Sequence, residues 1–346
     1  MRRGLIQRCS GMWSVVMMNL RRAGMSVMFF GCMVAVAVGQ KAAGARLGDA
    51  TVVPASPQLV WLDTDIGDDI DDAFALGLIL RSPELKLVGI STAFGDTELR
   101  ARLVDRYLAG AGLGRDVPVT AGVHTVTDNV MTQAAYARRS PARAHGDGVT
   151  ALLTAIRANP GKLTLIAIGP LFNIGEAIRR DPGTFRQLRR VVLMGGSIDR
   201  GYDGEKGERR GADAEWNINR DPAGAQALVG SGVPLYMMPL DSTQVRMDKA
   251  GRAKAVAAGT PVADQVALLY QQWSAGTGYE NPTLYDPVAV AASFKPELCP
   301  ATPMRIAVDE KGYTRKLDGE PNAEVCLESK EKEFLELLET RLATEK

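Results

Sequence analysis

Short apolar runs alternate with amphipathic stretches along the chain after residue 57. The apolar runs have the length and composition of buried strands: Leu59–Leu62, Leu85–Thr92, Val117–Thr120, Leu163–Ile168, Val191–Met194 and Leu235–Met238. The stretches between them have helical periodicity: Asp72–Arg81, Glu98–Ala111, Gly148–Ala158, Asn173–Arg179 and Pro222–Val229. This alternation predicts an α/β fold, in which an open, mostly parallel sheet carries helices on both faces. Ligands bind such sheets at the carboxyl ends of the strands, so residues just after each strand are candidates for chemistry.

The carboxyl-terminal part of the chain has a different pattern. We predict three antiparallel strands there, over Arg305–Asp309, Tyr313–Leu317 and Ala323–Leu327, and a closing helix over Lys330–Leu342. A small antiparallel extension is therefore expected at the end of the sheet. An earlier segment, Gly201–Gly211, is rich in glycine and charge, which predicts a mobile loop.

The first 45 residues have the pattern of a secretory signal peptide. They contain six Lys or Arg and no acidic residue, and Arg21-Arg22 precede an apolar run over Ser26–Gly39 that ends in small residues. The alternative, an uncleaved membrane anchor, is less well supported because a membrane span needs about 20 apolar residues. We therefore expect a cleaved leader (1–45), a linker (46–57) and one domain (58–346). The mature protein is expected to be exported, periplasmic or secreted, without stable membrane insertion.

Composition narrows the class of protein further. Hydrophobic residues make up 46% of the chain and charged residues 23%, which is typical of a globular protein. The chain after the leader has 35 basic and 40 acidic residues, so a nucleic-acid partner is not expected. It also keeps two cysteines, Cys299 and Cys326. An exported protein permits a disulfide between them, but two buried thiols are an equally open alternative.

The turn after the first predicted strand is the strongest chemical signal. It has the sequence DTDIGDDIDD over Asp63–Asp72 and holds six carboxylates, which repel one another unless a cation or backbone N–H groups neutralise them. Hard oxygen ligands favour Ca²⁺ or Mg²⁺ over zinc. A calcium-binding helix–loop–helix is excluded because Phe74, not Glu, stands twelfth from Asp63. The alternative is a solvated acidic cap on the next helix; we favour a metal site because a surface cap would not need the preceding apolar strand.

A second enzyme class shares part of this signal. A strand followed by Asp63-x-Asp65 resembles the opening motif of haloacid-dehalogenase-like phosphatases, in which one Asp is a nucleophile and Mg²⁺ is bound. That family usually has Thr or Val after the motif, whereas Ile66-Gly67 and four more carboxylates follow here. The residues therefore support this alternative less well.

The whole mature chain resembles a different family. DTDIGDDIDDAFAL is similar to the amino-terminal signature of the inosine-uridine-preferring nucleoside hydrolase family, usually DTDxGxDDAxAL, with two additional residues before Asp71-Asp72. Further motifs follow in the family's order: Phe94-Gly-Asp96, His145-Gly-Asp-Gly148, Gly169-Pro-Leu-Phe-Asn173, Met194-Gly-Gly196, Ala214-Glu-Trp-Asn217, Leu240-Asp-Ser-Thr243 and Asp286-Pro-Val-Ala289. The resemblance implies a nucleoside N-ribohydrolase with a Rossmann-like sheet.

The resemblance also implies a calcium site. In that family a Ca²⁺ ion holds a water molecule and the ribose hydroxyls at the carboxyl edge of the sheet. Carried over to this chain, the metal ligands are Asp65, Asp72, the backbone carbonyl of Phe172 and Asp286. Phe172 stands where the family usually has Thr, which is compatible because only the carbonyl is needed.

Further residues are implied to hold the sugar. Asp71 is expected to contact the 2′-hydroxyl. Met194, Glu215 and Asn217 match positions that grip the ribose, the last two around its 3′- and 5′-hydroxyls. Asp63 is expected to support the site from behind. The implied reaction is hydrolysis of the N-glycosidic bond through an oxocarbenium-like transition state, with no covalent sugar intermediate.

The same resemblance assigns the proton transfer. Asp65 is the catalytic residue that accepts a proton from the attacking water. No side chain has yet been assigned to protonate the leaving base.

This chain differs from the usual family pattern at several positions that bear on recognition of the leaving base. Many members have His directly before the last metal ligand, where this chain has Tyr285. Together with Asp96, AEWN and LDST, this resembles a purine-specific branch. An aromatic ring stacked on a purine favours departure of the base after N7 protonation, with Asp96 expected at the base edge. The family's Gly-Asn is missing between Gly196 and Trp216, so one contact that the family makes to the 5′-hydroxyl is absent from this chain.

Two functional hypotheses from different classes follow. The first is a secreted, calcium-dependent ribonucleoside hydrolase that prefers purines and releases ribose and free base. The second is an exported binding protein that keeps the calcium and ribose contacts without turnover. A nucleoside is the expected small-molecule partner, and the family's habit implies a homo-oligomer, a dimer or a tetramer.

Overall fold

The computed structural model describes residues 56–204, 208–257 and 259–344. The predicted signal peptide and nearly all of the predicted linker lie outside these residues. Within them, nine strands form one sheet: β1 (Gln58–Thr64), β2 (Leu85–Thr92), β3 (Val119–Ala121), β4 (Thr164–Ala167), β5 (Arg190–Met194), β6 (Leu235–Met238), β7 (Thr302–Val308), β8 (Thr314–Leu317) and β9 (Ala323–Val325).

Thirteen α-helices occur in the described ranges, and a 3₁₀ turn spans Pro296–Leu298. They are α1 (Asp71–Arg81), α2 (Thr97–Gly110), α3 (Ala134–Arg138), α4 (Gly148–Ala158), α5 (Phe172–Arg180), α6 (Pro182–Phe185), α7 (Trp216–Arg220), α8 (Pro222–Val229), α9 (Leu240–Thr243), α10 (Lys249–Ala257), α11 (Pro261–Thr277), α12 (Tyr285–Phe294) and α13 (Glu331–Ala343). None of these helices is both long and apolar enough to cross a membrane.

The strand order places a crevice at the centre of the sheet. The order is β3-β2-β1-β4-β5-β6-β9-β7-β8, and the first six strands in this order are all parallel. The chain proceeds outward from β1 to β3 and then outward on the other side from β4 to β6. The order therefore reverses between β1 and β4, where the loops leave in opposite directions and open a crevice. The α/β, Rossmann-like fold expected from the sequence is confirmed.

The carboxyl-terminal strands extend this sheet in a way that the sequence prediction missed. β7 pairs antiparallel with β8 and β9, as expected, but β9 pairs parallel with β6. The predicted antiparallel extension is thus confirmed, and the parallel pairing of β9 with β6 is an addition that the sequence did not predict. The apolar pattern of a strand shows which residues are buried but does not give the direction of its neighbours, which depends on where the chain re-enters the sheet.

Both faces of the parallel sheet are buried. Val60 and Leu62 of β1 belong to one apolar core with α1, α2, α11, α12 and α13. Trp61, between them in sequence, belongs to a second core with α4, α5 and α8. Since successive side chains of a strand point to opposite faces, this alternation shows helices covering both sides. The sheet is therefore held rigidly beneath the crevice.

Two helices near the site were not predicted from the sequence. α11 begins at Pro261 after Thr260, whose side chain accepts a hydrogen bond from the backbone N–H of Ala263, and ends before Gly278 in the left-handed conformation. These are ordinary start and stop signals for a helix. α12 is buried on nearly all sides, so it lacks the amphipathic periodicity that identifies a surface helix.

The two cysteines left open by the sequence are bonded. Cys299 and Cys326 form a disulfide across a sequence separation of 27 residues. The bond joins the segment after α12 to the end of β9. In the chain-entropy model a loop of this length stabilises the folded state by about 3–4 kcal/mol.

Candidate active site

A cavity of about 490 Å³ opens at the carboxyl ends of the central strands. Its lining includes six aspartates, five aromatic residues and three further residues from β5 and α7: Asp65, Asp68, Asp69, Asp71, Asp72 and Asp286; Tyr202, Trp216, Trp273, Tyr279 and Tyr285; and Met194, Glu215 and Asn217. Eight of the ten residues that the sequence assigned to the site therefore line one cavity. Distant parts of the chain meet there because parallel strands end at the same edge of the sheet.

Three carboxylates form the floor of the cavity. Oxygen atoms of Asp71, Asp72 and Asp286 lie within 4.8 Å of one another, and all three residues are buried. Asp71 and Asp72 open α1, and Asp286 lies in the first turn of α12, so two helix amino termini place their partial positive charge here. The backbone N–H of Asp286 donates to Oδ2 of Asp71 at 3.3 Å. We call these three residues and Asp65 the acidic wall.

The carboxylates of the acidic wall are buried and repel one another, and both effects disfavour their charged forms. Burial, and then the charges of neighbouring aspartates, raise the pKa of Asp71, Asp72 and Asp286 well above the ordinary carboxyl range. Burial likewise raises the pKa of Asp65 to about 7, although the nearby charge of Arg100 lowers it. A cation bound among these oxygens would relieve both the burial penalty and the repulsion.

Arg100 is a buried counter-charge beside the acidic wall. Its Nη2 donates to Oδ2 of Asp68 at 2.9 Å, and its Nη1 donates to the carbonyl oxygens of Asp65 and Ile66. Its Nε donates to the carbonyl of Phe94, a residue in the left-handed backbone region at φ 62°. The guanidinium therefore fixes the backbone of the acidic turn, and one arginine balances only part of its charge.

Asp63 supports the acidic wall from behind, in the position that the sequence predicted. Both of its carboxylate oxygens accept from Nδ2 of Asn173 at 2.9 Å, and that amide also donates to the carbonyl of Thr92 at 3.0 Å. Burial raises the pKa of Asp63 to about 7. These contacts tie β1, β2 and the start of α5 together beneath the cavity.

Gly169, two residues after the end of β4, makes room for Asp65. A Cβ atom built on Gly169 would lie 2.8 Å from the backbone nitrogen of Asp65 and 2.9 Å from its Oδ1. Any larger residue would push the Asp65 carboxylate out of place. The GPLFN motif therefore needs glycine at this position, because β1 and β4 approach too closely for a side chain.

Glu215 lies on the opposite side of the cavity, where backbone N–H groups hold its carboxylate. Glu215 precedes α7, and its side chain accepts from the backbone N–H groups of Asn217 at 2.9 Å, Gly196 at 2.9 Å and Ile218 at 3.1 Å. Burial raises its pKa to about 7, while these three hydrogen bonds lower it. Nδ2 of Asn217 donates to the carbonyl of Met194 at 3.1 Å. We call Met194, Glu215 and Asn217 the Glu215 wall.

Aromatic rings close the remaining sides. The rings of Tyr285 and Tyr202 meet edge to face with centroids 6.3 Å apart. Trp273 of α11 lines the same side, and Tyr279 follows with most of its surface exposed. Burial, and then the charge of Asp71, raise the pKa of Tyr285, so its hydroxyl is a weaker acid than a free phenol. The aromatic side suits a flat nucleobase.

Two residues assigned from the sequence lie outside this cavity. Asp96 is exposed and caps α2, where its Oδ1 accepts from the backbone N–H of Leu99 at 3.0 Å, so the structure does not bring it to the base edge. Phe172 opens α5, and its ring stacks on Phe94 with centroids 6.3 Å apart. The side chain of Phe172 faces a separate cleft, and its carbonyl as a metal ligand stays a prediction.

Several lining residues were not found from the sequence. Trp273 and Tyr279 had no signal beyond their presence in or after an unassigned helix, although the Thr260-Pro261 start of α11 marks that helix. Tyr202 lies in the segment predicted to be a mobile loop. Arg100 occupies an ordinary helical position in sequence, so its burial beside the acidic turn became visible only from the fold.

Comparison with known proteins now identifies the family. The family model for inosine-uridine preferring nucleoside hydrolases matches residues 60–336, which is most of the chain. The chain belongs to this family. It is therefore an enzyme that hydrolyses N-glycosyl bonds of ribonucleosides, and the haloacid-dehalogenase-like alternative is wrong.

Individual relatives agree with this result over nearly their full length. The pyrimidine-specific ribonucleoside hydrolase RihA of Citrobacter koseri is 29% identical over 320 residues, covering 82% of this chain and 97% of that protein. Among solved structures, a plant nucleoside hydrolase, PpNRh1, aligns with a TM-score of 0.70 at 22% identity, covering 84% of this chain and 100% of the plant chain. The purine-preferring ribonucleoside hydrolase of Gardnerella vaginalis aligns with a TM-score of 0.69 at 24% identity, covering 83% and 98%. The two structures establish the shared fold.

Proposed function

We propose that this nucleoside hydrolase is calcium-dependent, prefers purine ribonucleosides and acts outside the cytoplasm. The observation that carries the proposal is the pairing of three buried, mutually repelling carboxylates with an aromatic side in one cavity. The proposed location depends on the leader pattern in residues 1–45.

The donor set fits a calcium ion. Asp71, Asp72 and Asp286 offer carboxylate oxygens, the hard ligands that Ca²⁺ prefers, and the cavity lining described here offers neither thiolate nor imidazole. Asp65 is close enough to Asp72 for its charge to raise the pKa of that residue. The sequence assigned Asp65, Asp72 and Asp286 as ligands and Asp71 to the ribose; the structure adds Asp71 to the group whose oxygens converge.

In the proposed reaction, the acidic wall activates the water and the Glu215 wall holds the sugar. A bound calcium ion would supply a positive charge that polarises a water molecule and the ribose hydroxyls. Asp65, a buried carboxylate that lines the cavity beside the converging aspartates, accepts a proton from the water that attacks C1′. The bond between C1′ and the base nitrogen breaks, and the surrounding carboxylates stabilise the positive charge that develops on the sugar. Glu215 and Asn217 hold the sugar from the other side.

The aromatic side supports a purine preference. The two histidines of the chain, His124 and His145, are both described and neither lines the cavity, so no imidazole is placed to protonate the leaving base. A purine can be protonated at N7 by solvent, whereas a pyrimidine needs an acidic side chain. Names of similar proteins point both ways, since RihA is pyrimidine-specific and the Gardnerella enzyme is purine-preferring.

A nucleoside panel tests the proposal. The protein without residues 1–45 is incubated with inosine, guanosine, uridine or cytidine, and ribose release is measured before chelation, after exhaustive chelation and after return of Ca²⁺. We expect purine turnover that is lost on chelation and restored by calcium. Faster turnover of uridine would overturn the base preference, and full activity after chelation would overturn the metal. Nucleoside binding without ribose release would support the exported binding protein instead.

Tyr285 provides a sharper test of base stacking. Tyr285→Phe keeps the ring and should retain most inosine turnover, whereas Tyr285→Ala removes the ring and should lower it roughly tenfold or more, because base–aromatic stacking contributes about 1–3 kcal/mol. Equal losses in the two variants would show that the hydroxyl, not the ring, is needed.

A further inference from the structure

Tyr202 is an unassigned residue of the cavity that stands between the two walls. It lies in the segment between β5 and α7, and its ring meets Tyr285 edge to face at 6.3 Å. Its hydroxyl oxygen accepts a hydrogen bond from the backbone N–H of Trp216 at 3.0 Å. Trp216 is the neighbour of Glu215, so the hydroxyl lies beside the Glu215 wall.

The hydroxyl of Tyr202 can still donate one hydrogen bond. A phenol has one proton to donate, and no acceptor for that proton occurs among the described residues. Burial, and then the charge of Glu215, raise the pKa of Tyr202, so the group keeps its proton at neutral pH. Burying a polar hydrogen without a partner costs free energy, which a ligand oxygen in the cavity would recover.

Hydrogen bonds anchor the backbone that leads into Tyr202, while the mobile loop expected for Gly201–Gly211 stays a prediction. Asp241 of the LDST motif accepts from the backbone N–H groups of Ile198, Asp199 and Arg200 at 2.8–3.0 Å. Residues 205–207 of the predicted loop lie outside the described part of the chain. The anchored segment presents the Tyr202 hydroxyl before any ligand arrives.

Hydrogen bonds on either side of Tyr202 complete this anchoring. Nε2 of Gln244 donates to the carbonyl of Gly201 at 3.0 Å, and its Oε1 accepts from the backbone N–H of Asp203 at 2.8 Å. The backbone N–H of Tyr202 itself donates to Oδ2 of Asp213 at 3.2 Å. Asp241 of α9, Gln244 at its end and Asp213 in the segment before α7 therefore hold the backbone on both sides of the ring.

We propose that Tyr202 donates a hydrogen bond to the 5′-hydroxyl of the bound ribonucleoside, and that Asp241 is a positioning residue for it. This inference depends on the proposed function. The 2′- and 3′-hydroxyls are neighbours on one edge of ribose, and the acidic wall takes that edge. The 5′-hydroxyl extends from the other side of the ring, towards Glu215 and Tyr202. Tyr202 thus supplies a 5′-contact beside Glu215, in place of the Asn that is missing between Gly196 and Trp216.

The test compares inosine with 5′-deoxyinosine, in wild type and in Tyr202→Phe. The variant loses the proposed donor and also the acceptor for Trp216, but only the first loss depends on the 5′-oxygen. We expect kcat/KM for inosine to fall roughly tenfold further than kcat/KM for 5′-deoxyinosine. An equal fall for both substrates, or no fall for either, overturns the proposal. Tyr236→Phe, at the amino end of β6 and away from the cavity, is the matched control.

A binding measurement separates this inference from the proposed function. Calorimetry uses 9-deazainosine, whose base is joined through carbon, and its 5′-deoxy form. Tyr202→Phe should weaken binding of the first roughly tenfold more than binding of the second, even if no nucleoside is hydrolysed. Unequal weakening without turnover supports the contact and contradicts the hydrolase mechanism; equal weakening with normal turnover overturns only the contact.

Asp241→Asn tests the positioning role. Loss of the carboxylate weakens three backbone hydrogen bonds, so the preference for inosine over 5′-deoxyinosine should shrink while turnover of 5′-deoxyinosine is retained. An unchanged preference overturns the role of Asp241. A loss of turnover on both substrates in equal proportion also overturns it, because that result reports general damage to the fold.

Discussion

Both the acidic wall and the Glu215 wall contain buried carboxylates, but these carboxylates differ in what surrounds them. On the acidic wall, the oxygens of Asp71, Asp72 and Asp286 converge, and the buried guanidinium of Arg100 lies nearby. On the other wall, the single carboxylate of Glu215 accepts three backbone N–H bonds. The first arrangement needs a cation to be stable, whereas the second is satisfied by the protein itself. Buried carboxylates therefore mark a metal site only where the backbone leaves their charge unbalanced.

The largest effect is expected at the acidic wall. Asp72→Ala should lower kcat/KM for inosine on the order of 10³-fold or more and weaken calcium binding, because the loss removes a central carboxylate from the converging group. Steady-state turnover and calcium calorimetry measure the two effects. Asp116→Ala, an exposed loop position away from the cavity, is the control. Normal calcium affinity in Asp72→Ala would contradict the assignment of the acidic wall as the metal site.

A smaller effect with a different signature is expected at the Glu215 wall. Glu215→Gln keeps the shape but leaves at least one backbone N–H facing an amide NH₂, so inosine turnover should fall roughly 10–100-fold. Calcium affinity should stay at the wild-type value because Glu215 is not a ligand. Should calcium binding weaken as much as in Asp72→Ala, the division of the cavity into two walls would be wrong.

The buried carboxylates in and beneath the cavity should make the stability of the metal-free protein depend on pH. The folded-state pKa values of Asp63, Asp65 and Glu215 are about 7, above the ordinary value near 4 in the unfolded chain. Protonation therefore favours the folded state, and stability rises as pH falls from 8 towards 5. The melting temperature after chelation should rise over this range, by about 2–4 °C for each kcal/mol gained. Saturating calcium should raise it at pH 8 and flatten the dependence; a steeper dependence with calcium would contradict the account.

The smallest effect is expected at Asp96, which the structure removes from the base site. Asp96→Ala should cost about 1 kcal/mol of unfolding free energy, because α2 loses its cap, and lower the melting temperature by a few degrees. Thermal unfolding measures this change. A fall in inosine turnover at an unchanged melting temperature would return Asp96 to the base-binding site.

Much of the acidic wall was predictable because it is nearly continuous in sequence. Asp65, Asp71 and Asp72 follow one apolar strand, and Asp286 was added by family resemblance. Tyr202 and Trp273 were not found, because their roles depend on how a long loop and an unassigned helix pack over the sheet. Asp96 was misplaced for a related reason: a residue after a strand can face the crevice or cap the next helix, and its sequence position is the same in both cases.

The sequence by itself determined the alternation of strands and helices, the acidic turn and the family. These features are local, since periodicity, charge density and motif order are fixed by neighbouring residues. Only the tertiary structure decided that β9 runs parallel to β6, that Asp71 joins Asp72 and Asp286 and that Asp96 points away. It also decided that Tyr202 is held beside Glu215. Those outcomes depend on contacts between residues far apart in the chain, and their energies come from burial and hydrogen bonding that exist only after the sheet has formed.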